Sequence, residues 1–351
     1  MDLNIKLTGA SHDAFVGAVM RGLPSGIKVD FPLIEGMLRR RAAGFFPWAS
    51  ARAESDIAEI VSGITDGVTD GSPLEIKIYN RDVRRGDYDN KRFPRPSHAD
   101  YPAIIKYGDG LDISGGGRFS GRMTAPLVFC GGLLLGWLRE KGVRIYARVL
   151  SVGDAHDVVL NSLAPDEAAL SAIAGKHFPA LSGARGEEMT AEICLAAECG
   201  DSLGGVAQCI VLGLPVGSGG EHIDGLESLI AREVFAVPGV RALEFGTGFG
   251  MSRQRGSEAN DALYYDTQGL IKTLSNNSGG INGGLANGMP LIFNVGFRPT
   301  PSIALPQQTV DLQTCENVTK VIRGRHDPCI VPRAVPVLEA VAAIAVSRDL
   351  L

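Results

Sequence analysis

Residues 125–138 form a run of 14 without a charged side chain, and three of them are glycine. A segment that is apolar on every side has no face to offer water, so it predicts a helix buried inside the fold. The run is shorter than the roughly 20 residues that a bilayer-spanning helix needs. It ends at Arg139, Glu140 and Lys141, with Gly142 as a stop. A core helix of a cytoplasmic protein fits this pattern. With 351 residues, 45% of them hydrophobic and 21% charged, there is enough chain to bury a large core around it.

The remaining elements follow from capping and periodicity. Asp30 predicts a helix running to about Ala42, with Pro32 in its first turn and Arg39, Arg40 and Arg41 at its C-terminal end, where cations complement the dipole. Leu74–Tyr79 alternates like a half-buried strand. Further on, the pattern predicts a helix over 124–141, a strand over 143–152, and helices near 165–174 and 187–199. These are followed by a strand over 206–212, a helix over 223–235, a strand over Leu291–Phe297 and a helix from about 334 to 348. Helices and strands mix without the regular spacing of a doubly wound sheet, so the fold class is α+β. No repeat, linker or clean boundary divides the chain, and residues 1–351 read as one large domain.

Two stretches lack periodicity. Residues 80–121 dissolve into Gly, Pro, Asp and Arg, and residues 257–288 carry Asn276, Asn277, Gly279, Gly280, Gly283, Gly284 and Gly288. A structureless loop of such length inside a compact domain is either functional or disordered. The 45 glycines among 351 residues make about 13%, against a typical figure of roughly 7%, and no Gly-X-Y period accounts for the excess. Clustered glycines let backbone approach a ligand closely, so ligand-binding loops are expected near 80–121 and 250–290.

The net charge of −5 argues against nucleic acid or an anionic membrane as the main partner. Locally the balance reverses. From Arg81 to Arg122 nine Lys/Arg oppose six Asp, a net of +3, and Arg39, Arg40, Arg41 and Arg52 have no acid among them. A small anionic ligand suits such islands. The six cysteines include no CxxC and sit mostly among apolar residues, so neither a disulfide nor a metal site such as zinc is expected. Residues 1–8 lack the basic and apolar regions of a signal peptide.

Three segments could carry chemistry. His12, His98 and His326, three of only six histidines, lie among Gly, Ser, Arg or Asp rather than in apolar periodic segments. Gly115-Gly116-Gly117-Arg118-Phe119-Ser120-Gly121-Arg122 precedes the core helix, where glycine amides flanked by guanidinium groups would cradle an anion. Turns and bulges collect glycine too. The run is not a GxGxxG following an apolar strand, which counts against a nicotinamide-linked oxidoreductase. Gly324-Arg325-His326-Asp327-Pro328-Cys329 sets a cation, an imidazole and a carboxylate side by side, either as a surface salt-bridge cluster or as a base within a proton relay.

Taken in order, these segments resemble the chorismate synthase family. Thr8-Gly9-Ala10-Ser11-His12 is close to that family's Gly-Glu-Ser-His-Gly, and it is followed by Gly22-Leu23-Pro24-Ser25-Gly26, Arg40-Arg41-Ala42-Ala43-Gly44 and Gly86-Asp87-Tyr88. Arg95-Pro96-Ser97-His98-Ala99-Asp100-Tyr101 is similar to its Arg-Pro-Gly-His-Ala-Asp-Tyr, and the Gly115 to Thr124 segment to its GGGRxSxRxT. Glu244-Phe245-Gly246, Gly256-Ser257-Glu258, Gly279-Gly280-Ile281-Asn282-Gly283-Gly284, Arg298-Pro299-Thr300-Pro301-Ser302 and Pro332-Arg333-Ala334-Val335-Pro336 continue the match. It spans roughly residues 1 to 348.

The resemblance implies a β-α-β sandwich, assembled as a homotetramer, and a lyase that eliminates phosphate from 5-enolpyruvylshikimate 3-phosphate to give chorismate with reduced FMN. By matched position, Arg41, Arg122 and Arg325 would hold substrate anions. His12 would serve the departing phosphate, His98 the flavin pyrimidine edge, and Asp327 with Ser11 a proton relay. Flavin contacts would come from Arg118, Phe119, Ser120, Pro238, Gly239, Gly283, Arg298, Pro299, Thr300, Pro301, Ser302 and Arg325. No flavin reductase domain is visible, so a separate source of reduced flavin is implied. Ala10 stands where the family has Glu, Asp13 where it has Gly, Ser97 in place of a Gly, and Ala43 in place of a Pro. Some members have a further basic residue where this chain has Pro47. The alternative is a weakened paralogue that binds flavin and anion without turnover, with Ala10 and Asp13 as its mark.

Overall fold

The computed structural model describes residues 3–46, 48, 56–81, 91–108, 110–322 and 326–351. Its α-helices are α1 (Phe31–Arg41), α2 (Asp100–Tyr107), α3 (Thr124–Glu140), α4 (Glu167–Ile173), α5 (Gly183–Glu198), α6 (Leu226–Phe235), α7 (Gly256–Ala259) and α8 (Val331–Leu350). The apolar run lies in α3, where Leu133, Leu134 and Leu138 are fully buried, each contributing about 1.5–3 kcal/mol.

Two antiparallel sheets enclose α3. The first has the order Asn4–Gly9, Phe15–Arg21, Leu74–Tyr79, Ala58–Ser62. The second runs Val240–Phe245, Leu291–Phe297, Gly205–Leu212, Arg144–Val152, Ala155–His156. α3 rests on the first sheet, α8 covers the central strands of the second, and α1 and α6 pack beside them. The architecture is the β-α-β sandwich that the resemblance implied.

Glycine in α3 sets the spacing of the helical layer. A Cβ at Gly131 would overlap the Ala340 backbone of α8, and one at Gly132 would lie 3.1 Å from Ile34 of α1. The same layer is pinned by a charge pair. Arg40 donates from both terminal nitrogens to Glu339, at 2.7 and 2.9 Å, and Glu339 also accepts the Ala147 amide at 3.3 Å. Helix α1, helix α8 and the second sheet are thereby tied together.

Length alone does not distinguish α3 from a membrane span. The continuous helical run Gly121–Glu140 is 20 residues long and apolar enough to cross a bilayer, but 89% of its most apolar window is buried within the fold. Burial is what makes it a core helix.

Several boundaries shift for local reasons. Asp30 caps α1 as expected, accepting from the Leu33 amide at 3.0 Å. α5 starts earlier than its apolar pattern because Ser182 caps it. α6 starts only at Leu226, since His222–Asp224 forms a 3-10 turn first. α8 begins at Val331, with Pro332 in its first turn. The stretch 80–121 is not wholly irregular, since it contains α2 and the 3-10 turns Ser114–Phe119 and Gly121–Met123. The stretch 257–288 folds into two short hairpins, Leu263–Tyr265 with Ile271–Thr273 and Ile281–Asn282 with Leu285–Ala286.

Candidate active site

A cavity of about 590 Å³ opens where the turns before α2 and α3, the end of α6, the segment after Leu291–Phe297 and the start of α8 converge. His12 and His98 both line it. They are placed by the glycine run. Gly115, Gly116 and Gly117 take φ values of 59°, 97° and 52°, a left-handed path that side chains resist. A Cβ on Gly115 would overlap the His12 ring and lie 2.7 Å from its Nδ1, and one on Gly116 would lie 3.6 Å from His98 Nε2. The run expected to cradle an anion thus forms the seat of two imidazoles. Behind His12, fully buried Ser11 meets His12 Nδ1 with its Oγ at 3.1 Å, and its amide donates to Gly117 O at 3.2 Å.

The lining is strongly cationic. Arg41, Arg95, Arg118, Arg122, Arg241, Arg298 and Arg333 face the cavity, and Asp327 is the one carboxylate among its described lining residues. Arg41 and Arg122 are joined from behind by buried Asp56. Arg41 donates to it from Nε at 3.0 Å and from Nη2, and Arg122 from Nη1. Asn80 orients Arg122, accepting from its Nε at 3.0 Å.

Burial lowers the Arg41 pKa to about 10, with Arg333 and Arg122 adding to the effect and Asp56 opposing it. Burial acts to raise the Asp56 pKa, but Arg41 and Arg122 outweigh it and hold the carboxyl below its ordinary value. One carboxylate thus partly offsets a crowd of cations, which leaves room for an anionic ligand.

Around His98, Arg95 and Asp100 form a second buried group. Asp100 accepts from the Arg95 amide, Nε and Nη2 at 3.0, 2.7 and 2.8 Å, and meets His98 Nδ1 at 2.7 Å. Arg95 also donates to Ser302 Oγ at 3.2 Å. Burial pushes the Asp100 pKa up, yet the hydrogen bonds from Arg95 and His98 bring it down to about 2.

The structure brings His12, His98, Arg41, Arg122, Asp327, Arg118, Phe119, Ser120, Pro238, Gly239 and Arg298 to Ser302 to one cavity. Ser11 sits behind His12 rather than in the wall. Gly283 is elsewhere, exposed between the strands Ile281–Asn282 and Leu285–Ala286, and does not line this cavity. Arg325, Gly324, Pro47, Arg52 and Gly86 to Tyr88 lie outside the described residues. The ion pair described for Asp327 is with Arg333 of α8, which also donates to Arg41 O at 2.9 Å. Asp13 is exposed and absent from the cavity lining, so it does not restore a carboxylate there in place of the Glu exchanged for Ala10.

The roles of Asp56, Arg95, Asp100 and Arg333 escaped the sequence reading. Arg95 and Asp100 were legible as neighbours of His98 in one motif, whereas Asp56 is 66 residues from Arg122 and shows its role only in three dimensions.

The walls fit a flavin phosphate and ring. Phe119, Pro238, Pro299 and Pro301 offer apolar surface, Arg118 and Arg298 offer cations, and the buried Thr300 Oγ1 has no hydrogen-bond partner among the described residues. An orphaned hydroxyl on a cavity-lining residue is a position that a polar ligand atom can satisfy.

A cation-walled cavity holding two seated imidazoles, on a β-α-β sandwich, has the makings of an enzyme active site. A sequence model of the chorismate synthase family matches residues 3–351. The chain is 40% identical to the chorismate synthase of Thermococcus kodakarensis, covering 99% of this chain and 96% of that one. It is 42% identical to that of Aeropyrum pernix, covering 99% and 90%. A crystal structure of a chorismate synthase superposes with a TM-score of 0.79 at 27% identity, covering 100% of this chain and 92% of the other. The chain belongs to the chorismate synthase family, which are carbon-oxygen lyases.

Proposed function

We propose that this protein converts 5-enolpyruvylshikimate 3-phosphate into chorismate and inorganic phosphate by a 1,4-anti elimination, the last step of the shikimate pathway. The observation that carries the reading is the pairing of His12 and His98 on one glycine seat inside a cavity whose described lining has seven arginines and one carboxylate. A substrate with two carboxylates and a phosphate matches that balance, and guanidinium forks bind such groups bidentately.

Reduced FMN, held by Arg118 to Ser120, Pro238, Gly239 and Arg298 to Ser302, would supply electron density for the loss of phosphate without being consumed. The protein does the rest by position and charge. Arg41 and Arg122 hold substrate anions, with Arg325 as a third. His12 gives a hydrogen bond or proton to the leaving phosphate, and Ser11 orients it at Nδ1. His98, in the cavity wall, would serve the pyrimidine edge of the flavin. Asp327, held by Arg333, accepts the proton released from C6, and Ser11 reaches the same cavity through His12.

A second reading, a paralogue that binds flavin and substrate but turns over weakly, draws on buried Ala10 and exposed Asp13. One experiment separates the two. Under anaerobic conditions the protein should release phosphate with reduced FMN and not with oxidised FMN. Turnover with oxidised FMN and no reductant would overturn the reading, and binding without phosphate release would favour the paralogue.

The cellular setting we propose is cytoplasmic, with flavin reduced by a separate enzyme. Leu263, Tyr265, Leu270, Ile271 and Leu274 are each more than half exposed around one hairpin, an apolar surface suited to a second copy of this chain and to a homotetramer.

A further inference from the structure

Asp100 is the first residue of α2, a place where an acid often serves only the helix dipole. Its oxygens point elsewhere. Each of its four hydrogen-bond contacts on the side chain is with Arg95 or His98. We propose that Asp100 is the positioning residue for His98: it takes the Nδ1 proton and thereby presents Nε2 to the ligand. This deepens the proposed function and rests on it for the role of the ligand.

The argument is one of donors and acceptors. His98 Nδ1 lies 2.7 Å from Asp100 Oδ1 and 3.0 Å from Arg95 Nη2. A guanidinium only donates, and an ionised carboxylate only accepts. An Nδ1 lone pair aimed at Arg95 would also face the carboxylate oxygen at 2.7 Å, which is repulsive. With the proton on Nδ1, His98 donates to Asp100, and Arg95 Nη2 keeps its own acceptor, the same Oδ1, at 2.8 Å. Only this arrangement satisfies all three groups. Arg95 in turn fixes the carboxylate from three directions and is anchored on Ser302, one of the cavity-lining residues. Gly116 leaves space beside Nε2, where a Cβ would lie 3.6 Å away.

Asp100→Asn reverses the proton. The Arg95 amide and Nε would claim the single oxygen of the amide, turning its NH2 group toward His98 and making Nδ1 an acceptor. The test is nitrogen-15 NMR of the neutral imidazole in the protein without ligands, paired with steady-state kinetics. The wild type should show the Nδ1–H tautomer and Asp100→Asn the Nε2–H tautomer, with kcat reduced on the order of 10²-fold and KM within about threefold. A mutant that keeps the Nδ1–H tautomer, or keeps kcat within a few-fold of wild type, overturns the proposal. Should Asp100→Asn fail to fold, Asp100→Ala with added formate replaces it: formate should restore the Nδ1–H signature and part of kcat, and no recovery of either counts against Asp100. A tautomer switch in a protein that forms no chorismate would uphold the positioning and refute the reaction instead.

Discussion

Gly115 lies directly beneath the His12 imidazole, at a separation that leaves no room for a methyl group. Gly115→Ala would both clash with the ring and force alanine into a left-handed φ of 59°. We expect the protein to fold, with His12 displaced and kcat reduced by about 10²-fold or more, as in His12→Ala, the range that general acid catalysis supplies. Kinetics alongside a circular dichroism spectrum check this. Wild-type turnover in Gly115→Ala would show that the seat does not position His12.

Asp56 joins Arg41 and Arg122, so its removal leaves two buried cations facing one another. Asp56→Ala should cost about 3–5 kcal/mol of stability, the usual result of removing one partner from a buried pair. A bound anion would replace the lost charge. Inorganic phosphate should therefore raise the melting temperature of Asp56→Ala more than that of the wild type, as measured by thermal denaturation at matched phosphate concentrations.

Ser97 holds φ at 58°, where the family carries glycine, and its carbonyl accepts from Arg298. A non-glycine residue in this region is strained by roughly 1–2 kcal/mol, part of which glycine returns through its looser unfolded chain. Ser97→Gly should stabilise the protein by about 0.5–1 kcal/mol in urea denaturation.

The pH dependence of stability has a definite sign at Asp100. Its folded pKa of about 2 lies below the ordinary 3.8, so the contribution is complete above about pH 4 and is lost as pH falls toward 2. A difference of that size is on the order of 2 kcal/mol. In Asp100→Asn the acid limb of stability against pH should be shallower over that window, and an unchanged limb would contradict the assignment.

How much of this was visible in the chain depends on whether a residue acts locally. Helix α3 declared itself because every side is apolar, and α1 because Asp30 and the arginine run mark its two ends. The first sheet was mostly missed. Asn4–Gly9 and Phe15–Arg21 are stabilised by pairing with each other and with Leu74–Tyr79, which lies more than 50 residues away in the chain. α2 was hidden within a run whose composition reads as loop. At the site, His12 and His98 stood out by their polar, glycine-rich settings and the arginines by local charge runs, and the family resemblance supplied their roles. The roles of Asp56 and Arg333 stayed hidden, because nothing near them in the chain shows that Asp56 bridges two arginines or that Arg333 holds Asp327.

The central claim is an elimination that requires reduced flavin without consuming it. Its most direct test is the stoichiometry of chorismate, phosphate and oxidised FMN under strict anaerobiosis, followed by absorbance over many turnovers. The account predicts chorismate and phosphate in equal amounts, far exceeding the flavin present, with the FMN still reduced at the end. One FMN oxidised for each substrate consumed, or phosphate released without chorismate, would contradict it.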